Sequence, residues 1–579
     1  MKSNTEYTVS FEALSGGLNK SEPDYRLSAN ESPEMKNLLW ENGALNCRKG
    51  QMLEYEDDFG RAFACYERLF EGQLISHFGT KLFSNGTEIY SGVPEFRGTF
   101  FEYNGALYYK TKGAYLKIES LPSMRGGGPP EAVEGFHVSP VVPYVPVILI
   151  DADPSTGSGS FYQSENRLSP DKKVIYAANG NSSFKLPVVA DRIVSVEGTA
   201  VPYVYSRGVV SFSSPVSGEI AITYRLENAD AYNSVMDCCY AAVYSNISIV
   251  LAGCPAQPNA YFWNGQSSLA MEAGYFPMEQ YNLAGDTADG ITGFGLQQSY
   301  LVIFKERSVG RTLFGTADID GRTYIDMPYT PINAGRGALP RTIRLIENNL
   351  VWANEKGIYF LSDSSEAYEN NVICISKKLG TKSFENALSS LDDGNRYWLV
   401  LSTGEAFVWD YRISSYSKPS WFYLTNIFAV SFCYPRFIGN NHICRFIDSC
   451  SDFDEPIEKL YRFSTQSFGS YDRLKNVNSV LIAIKSETNA KTKLTYITDS
   501  GKKAEPYDLE NIAWLLVPRD LSFRCLEGRR FAKVFKRRPR CRKIHHFAMV
   551  LYNNELGQDL SIVSARINFN YQGRMHVLK

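Results

Sequence analysis

Ten of the twenty residues from 524 to 543 are lysine or arginine: Arg524, Arg529, Arg530, Lys533, Lys536, Arg537, Arg538, Arg540, Arg542 and Lys543. One acid, Glu527, sits among them. Fixed positive charge at this density can grip a phosphate backbone without reading bases. It can equally guide docking onto an acidic neighbour in an assembly, or stand solvated on an open face. Aromatic side chains are not interleaved with these cations as regular stacking platforms, which ranks an assembly contact above nucleic acid. The ten residues form the candidate contact site, against protein or against DNA.

Other chemistry-bearing residues point to no active centre. His545 and His546 adjoin, but neighbours on a strand face opposite ways and no third or fourth ligand follows at useful spacing. His77, His137, His442 and His576 are isolated from one another. Eleven cysteines, an odd number scattered along the chain, read as mostly buried thiols rather than a disulfide framework. Cys238 and Cys239 lie in an apolar run and would point to opposite faces. Asp286 with Asp289, and Asp318 with Asp320, lack the carboxylate spacing of a calcium loop and read as solvated turn acids. Gly157-Ser158-Gly159 lacks the Gly-Lys-Ser/Thr of a phosphate loop and reads as a turn. No metal and no cofactor is expected, nothing marks a nucleophile, and the chain reads as a non-enzyme.

Residues 390–397, Ser-Leu-Asp-Asp-Gly-Asn-Arg-Tyr, loosely resemble the Asp-box of sialidase-type propellers. In that motif the Asp, the Gly and the terminal aromatic stabilise a hairpin, a structural role even in enzymes. Glycoside hydrolysis needs two carboxylates roughly 5 to 9 Å apart, and the spacing of acids here singles out no such pair. Tyr359, Phe360, Tyr397, Trp398 and Trp409 could stack on sugars, although alternate residues of a strand more often enter a core.

The elements that must position these residues read as strands. Hydrophobic residues make up 44% and charged residues 21%, with 60 Lys+Arg against 62 Asp+Glu, which excludes a wholly disordered or basic chromatin-type chain. The 37 Tyr, 34 Phe, 44 Gly and 26 Pro favour strands joined by tight turns. The opening MKSNTEYTVSFEALSGG has no apolar stretch of signal-peptide length, so Sec export is not expected. The apolar run at 141–150 is broken by proline and falls short of the ~20 residues of a membrane helix, so no membrane anchor is expected.

From about residue 60 a hairpin pattern recurs at 72–92, 100–118, 242–265, 291–315, 343–363 and 394–411, with a weaker copy at 427–463. Many hairpins leave many sheet edges to hide, and a radial arrangement of blades hides them. The expected fold is therefore all-β: a six- to eight-bladed β-propeller with an inserted small β-domain and a C-terminal β-sandwich-like domain. Separate sandwiches are the competing reading. The expected divisions are 1–59, an N-terminal arm and first strand region with a short helix near 31–39; 60–126, the first part of the propeller; 127–227, the inserted β-domain; 228–467, the rest of the propeller; and 468–579, a C-terminal β-rich domain carrying the basic segment.

Four segments together resemble structural proteins of tailed bacteriophages, of the propeller-bearing tail hub, nozzle or head-to-tail stabilisation type. They are GGLN…SPEMKNLLWENGALNCRKG (16–50), YVPVILIDADPSTGSGSFYQSENRLSP (144–170), GYFPMEQYNLAGDTADGITGFGLQQSYLVIFKERSV (274–309) and FKRRPRCRKIHHF…NNELGQDLSI…Y…GR (535–574). The resemblance implies a non-enzymatic virion subunit, assembled in the host cytoplasm. It implies a cyclic homo-oligomer around the DNA exit path, flanked by tail or portal/adaptor proteins, with non-specific contact to genomic DNA as a further possibility. The alternatives are a host-surface or carbohydrate-binding virion propeller and, behind that, a glycoside-hydrolase-like propeller.

Overall fold

Where the chain reverses between neighbouring strands, residues at positive backbone φ come in pairs. Asn85 (43°) stands with Gly86 (81°), Asn104 (49°) with Gly105 (76°), and Asn440 (47°) with Asn441 (64°). Two adjacent residues in the left-handed region make the tight turn whose twist matches that of the flanking strands, and Asn and Gly accept it at least cost. The turns join Lys81–Ser84 to Thr87–Ser91, Gly98–Tyr103 to Ala106–Thr111, and Arg436–Gly439 to His442–Ile447. The computed structural model describes residues 5–121, 135–227, 229–267, 270–319, 322–363, 371–499, 501–511, 516–517, 524–525 and 532–574. Among them the regular structure is almost all strand. The exceptions are the helix Ala229–Met236 and a 3-10 turn at Lys377–Leu379.

The chain divides into two compact units. One comprises Arg61–Leu350 and Ser362–Asn371. It contains four-stranded antiparallel sheets built from consecutive strands, such as Ala62–Cys65 through Thr87–Ser91, Gly98–Tyr103 through Phe136–Pro140, and Tyr240–Tyr244 through Tyr281–Leu283. Apolar side chains from adjacent strands meet in clusters, for example Ile75, Leu82, Leu107, Tyr109 and Ile118. Lys110 is buried, and its ammonium donates to the carbonyls of Thr111 (2.7 Å), Met236 (2.8 Å) and Cys238 (2.7 Å). These bonds satisfy the charge where burial would otherwise be costly.

Within the same unit, residues 147–225 have a core of their own made of Val174, Tyr176, Phe184, Val210, Ile220 and Ile222. Asp171–Ala177 lies at the centre of a five-stranded sheet, parallel to Val147–Ala152 and antiparallel to Glu219–Arg225. A three-stranded sheet of Ser183–Lys185, Val209–Phe212 and Tyr203–Ser206 adds further inward residues. The alternation of buried and part-exposed residues along Asp171–Ala177 is what a strand with one covered face requires.

The other unit comprises Met1–Gly60, Val351–Leu361 and Val372–Lys579. Here the N-terminal segment is woven into sheets made by the C-terminal third. Tyr7–Phe11 pairs with Ile562–Arg574, and Glu34–Lys36 pairs with Lys459–Arg462. Gly50–Leu53 pairs with His442–Ile447. The helix expected near 31–39 is corrected: this stretch holds the strands Glu31–Ser32, Glu34–Lys36 and Leu38–Glu41. Asn37 breaks it at φ 56°, and the Ser32 hydroxyl donates to the Arg462 carbonyl at 2.6 Å. Sheet pairing thus overrides a Ser-Pro start that locally suits a helix.

Gly439 shows how closely backbones approach in this unit. A Cβ at that position would lie 1.8 Å from the Phe428 carbonyl oxygen. Gly439→Ala is therefore expected to destabilise the unit by about 1–3 kcal/mol through overpacking, read as a lower urea midpoint. An unchanged midpoint would show that the two strands can separate freely.

The propeller expectation is corrected. The sheets are open, and among the described residues none closes into a barrel or a ring of blades. The hairpin recurrence correctly marks local pairing, but closure depends on contacts between distant strands that a local pattern does not encode. Sheet edges are guarded differently. Tyr281–Leu283 ends its sheet with three residues, and Lys533–Arg537 ends another with charged side chains. Both devices discourage further pairing without a ring. The C-terminal sandwich-like domain is also revised, since its two sheets incorporate N-terminal strands.

Candidate functional site: a basic edge strand and its strap

Lys533–Arg537 pairs antiparallel with Arg473–Ile484 in the register Val480↔Arg537 to Ile484↔Lys533, and it is the last strand of its sheet. Phe535 points inward and is buried, while Val534 and Lys536 on the opposite side are exposed. This is the two-residue alternation of an edge strand with one covered face. Lys533 lies over the Phe535 ring, 4.8 Å from its centroid, and donates to the Glu510 carbonyl at 2.8 Å. Arg537 donates to the carbonyls of Lys536 (3.2 Å) and Asp508 (3.4 Å).

Beyond the strand the chain continues as a strap held from within. Pro539 and Ile544 are buried and Cys541 is half-buried. The backbone is fastened by Val477 N–H to the Cys541 carbonyl (3.0 Å) and by reciprocal bonds between Lys475 and Ile544 (2.8 and 3.1 Å). With the apolar residues inside, Arg538, Arg540, Arg542 and Lys543 all face solvent. Left-handed backbone at Arg540 (52°) and Lys543 (58°) turns the strap, and Asn476 Oδ1 accepts the Lys543 N–H at 3.0 Å.

The structure thus brings Lys533, Lys536, Arg537, Arg538, Arg540, Arg542 and Lys543 onto one continuous edge and strap. None of the seven forms an ion pair with a carboxylate among the described residues; the side-chain bonds of Lys533 and Arg537 go to backbone carbonyls. Arg524 lies on a separate short strand, Arg524–Cys525, paired with Leu516–Val517. Arg529 and Arg530 fall outside the described residues.

The remaining sequence candidates have structural roles. Asp499 accepts the backbone N–H of both His545 and His546, the latter at 2.7 Å, and lies 3.1 Å from His546 Nδ1. The histidine pair therefore belongs to a capped turn. Among the described residues no three His, Cys, Asp or Glu come together in a set able to hold a metal ion.

In the Asp-box-like stretch, Asp392 accepts from Gly394 N–H (2.9 Å) and the Tyr411 hydroxyl (2.8 Å). Asp393 accepts from Trp398 Nε1 (2.9 Å) and Arg396 N–H (2.7 Å), and burial raises its carboxyl pKa despite these donors. This is a hairpin brace. Asp289 binds the Ser308 hydroxyl and the Arg307 N–H, and Lys305 reaches it at 3.5 Å. The Asp318 side chain and Asp320 fall outside the described residues. Tyr359, Phe360, Tyr397, Trp398 and Trp409 are all buried, so these rings pack a core and present no sugar-stacking platform.

Sequence reading missed a cleft of about 640 Å³ in the N- and C-terminal unit, lined by Asn46, Cys47, Arg48, Cys450, Thr488 and Asp559 among others. Its walls come from segments some 400 residues apart, so no spacing could have announced it.

No protein-family model matches the chain, and no curated protein is significantly similar to it. Solved structures that are similar to it in part include the following two. One is an exo-beta-1,3-galactanase from Phanerochaete chrysosporium, with beta-1,3-galactotriose, at 8% identity and TM-score 0.16, covering 90% of this chain and 100% of that one. The other is the N-terminal domain of Nup159, at 10% identity and TM-score 0.21, covering 63% of this chain and 94% of that one. At such TM-scores neither likeness supports an argument about fold or activity.

The resemblance to tailed-phage hub, nozzle or head-to-tail stabilisation proteins is corrected by the fold. The ring of blades on which that reading leaned is not formed among the described residues, whose sheets are open. The physical reason lies in what the quoted segments encode. Turn residues, aromatic hairpin strands and a basic run recur wherever β-sheets are built.

Proposed function

We propose that the chain is a non-enzymatic binding protein whose basic edge and strap, residues 533–543, dock an acidic protein surface. The supporting observation is the outward set Lys536, Arg538, Arg540, Arg542 and Lys543, exposed together and without carboxylate partners among the described residues. A chain carrying 60 basic and 62 acidic residues has ample acids with which to neutralise these charges internally. An outward row left uncompensated supplies the complementary field that steers an acidic partner and sets its register. The one aromatic ring in the strand, Phe535, faces inward, so base stacking gains nothing here. Self-association is compatible with this reading only if the strap of one copy meets an acidic face of the next, since two straps repel.

The test is binding of the full chain to immobilised polyglutamate and, separately, to duplex DNA across a salt series. The combined variant Lys536→Gln, Arg538→Gln, Arg540→Gln and Arg542→Gln is expected to weaken polyglutamate binding by about tenfold or more, at roughly 0.5 kcal/mol per exposed charge. Its circular dichroism is expected to be unchanged, because these side chains face solvent. Equal retention of the variant would remove the strap from function. Tighter, strap-dependent retention on DNA than on polyglutamate would make the partner a nucleic acid.

A further inference from the structure

Two chain segments in the unit that joins the termini run side by side. Gly50 N–H donates to the Ser449 carbonyl at 2.7 Å, Gln51 pairs parallel with Asp452, and Phe453 N–H donates to the Gln51 carbonyl at 2.8 Å. This alignment brings Cys47 and Cys450 together. Both thiols are free and half-buried, both line the cleft of about 640 Å³, and each is close enough to shift the other's pKa; Cys47 Sγ donates to the Arg48 carbonyl at 3.3 Å. A third group completes the arrangement. Lys459 is fully buried, and its ammonium donates to Asn553 Oδ1 (2.8 Å) and the Gln558 carbonyl (2.5 Å). It forms no ion pair with a carboxylate among the described residues.

We propose that Cys47 and Cys450 form a thiol–disulfide exchange site that opens on this cleft and takes low-molecular-weight disulfides as co-reactant. Cys450 is the attacking thiol and Cys47 the resolving one. The Cys450 thiolate attacks one sulfur of the small disulfide, forming a Cys450 mixed disulfide and expelling one small thiolate. Cys47, as its thiolate, then attacks the Cys450 sulfur, closes the Cys47–Cys450 bond and expels the second small thiolate. The two protons lost by the cysteines end on the two departing thiols. The pair is oxidised by two electrons, and the small disulfide is reduced by the same two.

The order follows from the surroundings. The Cys450 thiol and burial raise the Cys47 pKa, and Cys47 Sγ keeps its proton on the Arg48 carbonyl at 3.3 Å, whereas the neighbouring Cys47 thiol, and less strongly Lys459, lower the Cys450 pKa. A thiol with more thiolate character attacks first. Nothing in this step requires the basic strap, so it stands independently of the proposed function.

The experiment treats the reduced full-length chain with glutathione disulfide and maps thiols by peptide mass spectrometry over time. Wild type is expected to give a cross-linked peptide joining Cys47 to Cys450. Cys47→Ser is expected to stop at a glutathione adduct on Cys450. Cys450→Ser is expected to leave Cys47 at least about tenfold slower to react. Cys450→Ala, with circular dichroism of each variant, separates a chemical effect from loss of fold. A wild-type chain that accumulates adducts without the cross-link would overturn the proposal. So would a folded Cys450 variant whose Cys47 reacts at the wild-type rate.

Discussion

Asp452→Ala is expected to cost about 3–5 kcal/mol, because it strands a guanidinium inside the protein. The side chains of Arg48 and Asp452 are 1% and 3% exposed and meet two-to-two, with N–O distances of 2.5 and 2.9 Å. The guanidinium also donates to Asn37 Oδ1 (3.0 Å), the Thr425 carbonyl (2.9 Å) and the Lys49 carbonyl (2.9 Å). Asp452 accepts in addition from Asn426 Nδ2 at 3.1 Å. Removing the carboxylate leaves the positive charge buried among carbonyls that cannot neutralise it.

Urea unfolding followed by tryptophan fluorescence measures the loss. Replacing both partners, Arg48→Met with Asp452→Leu, is expected to be milder than Asp452→Ala alone, since no buried charge remains. A single-variant loss below about 1 kcal/mol would mean that water reaches the pair.

Stability of the unit centred on residues 61–350 is expected to fall by about 3 kcal/mol between neutral pH and about pH 4 through one histidine. His77 is fully buried, stacked on Phe63 at 4.9 Å and bonded to the Tyr109 hydroxyl at 2.7 Å. Burial, with a smaller contribution from the Arg341 charge, lowers its pKa from 6.5 to about 4. Between those two values the unfolded chain holds a proton that the folded chain refuses. The contribution is therefore complete above pH 6.5 and is lost as pH falls toward 4.

His77→Gln is expected to lower stability at neutral pH and to flatten this segment of the profile. Thermal melts of both proteins from about pH 7 to about pH 4.5 isolate the effect, because other acid-titrating groups are common to the two. Parallel profiles would show that His77 takes up its proton as readily in the folded as in the unfolded chain.

Much of the local architecture was readable from residue order. Asn85-Gly86 and Asn104-Gly105 announce tight turns, and the hairpin segments read at 72–92 and 100–118 hold the antiparallel strands that those turns join. The alternation that buries Phe535 and exposes Lys536 is also a local property, so the basic edge could be located before any fold was known. The burial of Tyr397, Trp398 and Trp409 was harder to read, since an aromatic on a strand serves equally on either face.

Residue order dictated the strands, their turns and the basic run, because each depends on neighbours a few positions away. Tertiary folding alone decided whether sheets close, which strands the N-terminal segment joins, and that Cys47 meets Cys450. Those outcomes depend on the pairing of backbone edges hundreds of residues apart. Every strand carries the same hydrogen-bonding groups, so its own spacing does not specify which distant edge it will find.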